Sequence, residues 1–273
     1  MSGAEMEKDV ITVQIFPEKH IEFGTSSILG TRKNQEDTIY GYAEKEKAIG
    51  IVCDGMGGLQ GGETASNLAA ESLAGAWFEQ EEIEDVPEFL KQQAMIADEK
   101  VFQLEGENGE PLHAGTTIVA VIIRKRELYW LSVGDSRIYI IRGNEILSVC
   151  REHNYRMTLD AMLEEGSITK EEYEKEEPRA EALISYLGMG NLSLMERNQQ
   201  PFLLEDGDII LLASDGLYRS LPEDEILETV RENQEDMQKA AEQLTARALG
   251  EKQAGQDNTS VIVMQYHCEE GKQ

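Results

Sequence analysis

Positive charge is scarce in this chain. Its 273 residues hold 25 Lys and Arg against 53 Asp and Glu, a formal net charge of -28. So acidic a surface repels polyphosphates and anionic bilayers, which sets aside nucleic acid and membrane as general partners. It also repels phosphorylated substrates, unless cations are held where the phosphate must sit. Cysteine is sparse too: Cys53, Cys150 and Cys268 form no CxxC and no metal-knuckle spacing. An odd, unpaired set of this kind fits a reducing compartment. No apolar run approaches the length of a membrane span. The opening MSGAEMEKDVITVQIF lacks the basic-then-apolar order of a secretion signal, and a cytoplasmic location is the expectation. Internal repeats and Pro- or Ser-rich linkers are also missing, so one domain is expected.

The apolar residues fall into two textures. AIGIVCD (48–54) and DIILLASD (208–215) are short continuous runs, the pattern of buried strands, and each ends in an acid. Between 116 and 149, TTIVAVII, ELYWLSV, SRIYIIR and EILSV follow one another across joints too short for helical crossovers, which predicts antiparallel hairpins. Helical spacing marks 64–78 and 88–104, and 222–249 reads as one or two helices. QDNTSVIVMQY reads as a turn and a last strand. Residues 153–187 are helical and strongly charged, an excursion from the sheet. The first twenty or so residues read as a tail or an edge strand.

The stretch VCDGMGGLQGGETAS (52–66) concentrates the chemistry. After Asp54 come Gly55, Gly57, Gly58, Gly61 and Gly62, five glycines in eight residues. Glycine loses more conformational freedom on folding than any other residue, so such a cluster marks special backbone angles or close approach to another group. A nucleotide site is the competing reading, but no Lys-Ser/Thr follows as a P-loop requires. Asp135 in VGDSR, Asp215 in ASDGL and Asp257 in GQDNTS also lie at strand ends beside small residues, and Glu36 and Asp37 follow TRKNQ. Any one of these alone reads as a turn. Together they gather carboxylates at the ends of buried strands, where they repel one another unless paired or bound to metal. No basic residue accompanies Asp54, Asp215 or Asp257 closely in sequence, so divalent cations are the simplest compensation. Oxygen-only ligands favour Mg2+ or Mn2+ over Zn2+.

Taken in order, TRKNQED, DGMGG, GTT (115–117), GDSR, SDGL and DN resemble the motifs of the metal-dependent type 2C protein phosphatases, the PPM family, in its bacterial branch. The resemblance runs from about Phe23 to Val263. It implies an α+β fold, a four-layer α-β-β-α sandwich of two antiparallel sheets flanked by helices. The phosphatase domain would span 20–267, with a flap at about 153–187 that tunes substrate access, an N-terminal tail or edge segment at 1–19 and a C-terminal tail at 268–273. The activity implied is hydrolysis of phosphoserine and phosphothreonine by a water bridging two ions, Mn2+ or Mg2+. By position, Asp54 resembles the bridging carboxylate, Gly55 the residue whose carbonyl binds one ion, and Asp215 and Asp257 the other direct ligands. Glu36 and Asp37 match acids acting through waters, and Arg32 matches the arginine that holds the phosphate. Asp135 matches a ligand of a third, weaker ion. Phosphoprotein substrates are implied, with a serine/threonine kinase and its targets as partners, and nothing demands more than a monomer.

Two departures from the family pattern stand out. Met56 occupies the place of a histidine proposed elsewhere as the acid for the leaving alcohol, as in bacterial relatives. Arg219 stands where many members carry an acid that helps with the third ion; it either alters that site or faces solvent and the flap acids. His153, at the exit from the sheet, reads most simply as structural. Two rivals are weaker. An aspartyl-phosphate enzyme needs a second acid two residues after its nucleophile, where this chain has Met56. A non-catalytic binding module would usually have lost metal ligands, whereas Asp54, Asp215 and Asp257 are all present.

Overall fold

The computed structural model describes residues 11–15, 21–44, 46–57, 61–80, 82–106, 108–251 and 255–268. Strands β1 (Ile11–Ile15), β2 (Ile21–Ile28), β3 (Asp37–Glu44) and β4 (Lys47–Met56) lead into helices α1 (Gly61–Phe78) and α2 (Val86–Phe102). Strands β5 (Gly115–Thr116), β6 (Ile118–Arg124), β7 (Glu127–Val133), β8 (Arg137–Arg142) and β9 (Glu145–Ser148) follow. The charged excursion contains α3 (Tyr155–Glu164), α4 (Lys170–Glu176) and a 3-10 turn (Glu177–Arg179). Then come β10 (Glu196–Arg197), β11 (Phe202–Leu203), β12 (Ile209–Ala213), α5 (Asp215–Tyr218), α6 (Glu223–Glu232), α7 (Met237–Glu251) and β13 (Thr259–Tyr266). Among the described residues no helix is long and apolar enough to cross a membrane.

Two sheets result. One has the order β1-β3-β4-β6-β7-β10, with β5 on β4 and β11 on β7; the other runs β2-β13-β12-β8-β9. Strand alternation explains why the apolar runs are continuous. In β4, Ile49, Ile51 and Cys53 face α1 and α2, while Ala48 and Val52 face the second sheet. In β12, Ile210 and Leu212 face the first sheet, while Ile209, Leu211 and Ala213 face α5, α6 and α7. A strand covered on both faces needs apolar side chains on both. Three buried clusters therefore separate four layers, the expected α-β-β-α sandwich.

Two features differ from the sequence reading. The sheets are antiparallel except at one edge, where β1 pairs with β3 in parallel. Residues 11–15 thus form an edge strand, while 1–10 and most of the C-terminal tail, 269–273, lie outside the described residues. The hairpin series 116–149 is also broken once. β6 pairs with β7 and β8 with β9, but β7 and β8 lie in different sheets. The chain crosses at Gly134, whose φ of 101° and whose contact with Thr117 leave no room for a Cβ. The helical stretch 222–249 resolves into two helices, α6 and α7.

Candidate active site

Register carries the acids to one end of the sandwich. Asp37, the first residue of β3, sits directly across from Asp54 near the end of β4. The end of β12 pairs with the starts of both β13 and β8, through Ala213 with Val261 and Ala213 with Arg137. Asp215, Asp257 and Asp135 flank those positions, so antiparallel pairing gathers the acids within each sheet and the packing of the two sheets brings both groups to one place. There Asp54, Asp135, Asp215 and Asp257 line a pocket of about 400 Å³ together with Arg32, Glu36, Gly55, Met56, Thr117, Glu181 and Arg219.

The floor is held by its main chain. Thr117 Oγ1 accepts from the Asp54 N–H at 3.0 Å, and its own N–H donates to the Asp54 carbonyl at 2.8 Å. Gly55 donates its N–H to the Glu36 carbonyl at 3.1 Å. A Cβ on Gly55 would stand 2.2 Å from the Gly62 carbonyl oxygen and 2.5 Å from that of Glu36. This accounts for glycine at that position: three backbone segments meet where a methyl group would not fit. Gly58 lies outside the described residues. Asn258 ties the rim together, accepting from the Glu36 N–H at 2.8 Å and donating to the Leu29 and Asn34 carbonyls at 3.0 and 3.1 Å.

Electrostatics divide the acids. Burial, aggravated by Asp215 and Asp257, pushes Asp37 up to about 7 although the Ser214 hydroxyl donates to it at 2.8 Å. Burial and the surrounding aspartates hold Asp54 well above the usual carboxylate range. Asp135 is likewise raised to about 7 by burial and Asp215, against the pull of Arg219. Asp215 is also raised by burial, and no donor reaches its buried Oδ1. Unpaired carboxyls in such surroundings favour protonation or a cation. Glu36 is raised by partial burial, with Arg32 opposing the shift.

The sequence-stated residues Arg32, Glu36, Asp54, Gly55, Asp135, Asp215 and Asp257 therefore come together in one pocket. Asp37 lies behind its floor on Ser214. Arg32, about half exposed, is turned onto Asp257 at the rim. Arg219 reaches into the pocket, pairing with Asp135, Asp215 and the excursion acid Glu181. His153 is fully buried outside the pocket lining, and its Nδ1 accepts from the Gly134 N–H at 3.1 Å, a structural position. Among the described residues no three Asp, Glu, His or Cys groups converge closely enough to grip an ion as they stand. The carboxyls repel one another, and two arginines draw Asp257, Asp215 and Asp135 toward themselves. The donor set is nevertheless hard oxygen throughout, and Asp215 Oδ1 awaits a partner, so these residues suit Mg2+ or Mn2+.

Thr117, Asn258, Ser214 and Glu181 were not assigned roles by sequence reasoning. The GTT and DN motifs contain the first two, and Glu181 was hidden among the excursion's many acids.

The protein phosphatase 2C family model matches residues 21–158. The chain belongs to that family. The serine/threonine phosphatase stp of Listeria innocua is 30% identical over 252 residues, covering 90% of this chain and 95% of the relative. Among solved structures, the serine/threonine phosphatase of S. agalactiae superposes with a TM-score of 0.77 at 25% identity, covering 90% of this chain and 100% of that one. The catalytic domain of the phosphatase PstP, in complex with 2 manganese ions, gives a TM-score of 0.71 at 26% identity and covers 91% and 99%. This family member is a PPM-type serine/threonine protein phosphatase, and its substrates are phosphoproteins.

Proposed function

We propose that the pocket hydrolyses phosphoserine and phosphothreonine with two divalent ions, Mn2+ or Mg2+, held by Asp54, the Gly55 carbonyl, Asp215 and Asp257. The observation that carries this reading is the convergence of buried, oxygen-only donors, with one carboxylate oxygen of Asp215 left unpartnered. The manganese pair of the PstP catalytic domain supports it. When bound, ions held by these residues would supply an acidified water for attack on phosphorus and would screen the phosphate charge.

The chain's own residues supply the rest. Glu36 and Asp37 act through intervening waters, Asp37 from behind the floor with the Ser214 hydroxyl fixing its orientation. Arg32 leaves Asp257 when that carboxylate turns to a cation, and its planar fork then clamps two phosphate oxygens. Gly55, crowded by backbone on every side, keeps the floor low enough for a phosphorylated side chain to reach it. The segment following α4 borders the pocket through Glu181 and Leu183, which supports a role for the excursion 153–187 in tuning access. Phosphoproteins made by a serine/threonine kinase are the natural targets of such a site, and a reducing, cytoplasmic setting suits its unpaired cysteines.

The test is hydrolysis of p-nitrophenyl phosphate and of a phosphothreonine peptide, with Mn2+, Mg2+ or EDTA, by wild type and Asp215→Asn. Activity should appear with Mn2+, vanish with EDTA and collapse in the variant. A folded, Mn2+-treated wild type inert on both substrates would contradict the reading.

A further inference from the structure

Arg219 caps the short helix α5 and sends its guanidinium back into the pocket. Nη1 lies 3.1 Å from Asp215 Oδ2, and Nη2 lies 3.1 Å from Asp135 Oδ2 and 3.7 Å from Glu181 Oε2. Asp135 and Asp215 are only 4% and 8% exposed. Arg219 is the largest favourable charge acting on each. The base of this arrangement is fixed as well. The neighbouring Tyr218 hydroxyl donates to the Asp135 carbonyl at 3.0 Å, and Arg137 stacks 3.7 Å from the Tyr218 ring centre. Arg219 is therefore preset between two strand-end acids.

We infer that Arg219 is the resident cation of this corner, standing in for a divalent ion between Asp135 and Asp215. The inference rests on the proposed metal-dependent reading and adds how many ions the pocket admits, and where. A guanidinium keeps its charge at any working pH and offers donors in a fixed planar fork. An ion such as Mg2+ needs those same carboxylate oxygens at about 2.0–2.1 Å. The guanidinium already stands between Asp135 Oδ2 and Asp215 Oδ2, where such an ion would have to sit, and the two positive charges repel. Among the described residues no arginine pairs with Asp54, and Asp215 Oδ1 has no donor, so ions collect there and not between Asp135 and Asp215. Removing the guanidinium strands two buried carboxylates, and a divalent ion is then the available compensation.

The test counts bound metal, independently of turnover. Wild type, Arg219→Ala and Arg219→Lys are stripped with EDTA, desalted, dialysed against Mn2+ at neutral pH, and their bound manganese is measured by atomic emission. Arg219→Ala should hold one more Mn2+ per chain than wild type. Arg219→Lys, which retains the charge, should match wild type. If Arg219→Ala does not fold, Arg219→Gln, of similar reach and no charge, should show the same gain. A wild type that binds Mn2+ while the neutral variants gain none overturns this inference alone. A wild type that binds no Mn2+ contradicts the proposed function and this inference with it.

Discussion

The floor and the corner of the pocket solve one problem in opposite ways. At the floor, Asp37 and Asp54 face each other across β3 and β4, with the Ser214 hydroxyl donating to Asp37 and, among the described residues, no arginine or lysine paired with either. At the corner, Asp135 and Asp215 share a guanidinium. Like charges directly opposed in a sheet destabilise it, and burial amplifies the repulsion. Where the protein supplies its own cation the charge is settled on folding. Where it supplies only neutral donors the charge is left for something that arrives later. Arg219 thus settles Asp135 and one oxygen of Asp215 within the chain, while Asp54 and the unpartnered Asp215 Oδ1 stay available to an arriving cation.

The sharpest way to break this contrast is at the floor. Asp54→Asn should lower kcat/KM on a phosphothreonine peptide by roughly 10³-fold or more, the loss expected if the proposed ion site depends on that carboxylate. The EDTA-treated variant should melt no lower than EDTA-treated wild type, because a repelled buried charge has been removed. A clear drop in that melting temperature would mean Asp54 is compensated within the chain after all.

Arg32 is the next lever, at the rim between the two regions. Arg32→Lys keeps the charge but loses the fork, and KM should rise about 10-fold with a smaller change in kcat. An unchanged KM would show that phosphate is held elsewhere, and Arg219 would then be the first candidate.

The smallest effect is on the pH dependence of the metal-free protein. Asp37 titrates near 7 in the folded chain against an ordinary 3.8, raised chiefly by burial. The folded state therefore binds more protons than the unfolded one between those values, and stability falls as pH rises through that window. With EDTA the protein should melt higher at pH 5 than at pH 8, and Asp37→Asn should reduce that slope. Mn2+ should recover more stability at pH 8 than at pH 5. A flat profile in EDTA would mean the floor acids are well solvated.

Much of this site was legible before any coordinates. Asp54 and Asp215 each end an apolar run, and the reason is now physical: strands buried on both faces stay apolar until the sheet ends, and an acid there marks the edge. The contact of Arg219 with Asp215, four residues earlier, was passed over in the sequence, where no basic residue was counted beside Asp215. That Arg219 also reaches Asp135 was not legible, because it depends on β8 and β12 being neighbours. The pairing of Asp37 with Asp54 depends on register in the same way. The sheet change at Gly134 looked like a hairpin joint, since a short polar link reads alike whether the chain folds back or crosses over. Nor does ITVQI reveal that it will lie parallel to β3; strand direction is set by the edge it finds.

The central claim is that the floor takes divalent ions while Arg219 keeps the corner. Crystals grown or soaked in Mn2+ and measured for anomalous scattering at the manganese edge test it most directly. The account predicts anomalous peaks among Asp54, Asp215 and Asp257, with Arg219 still on Asp135 and no peak between Asp135 and Asp215. A peak in that corner with Arg219 displaced, or none beside Asp54, would contradict it.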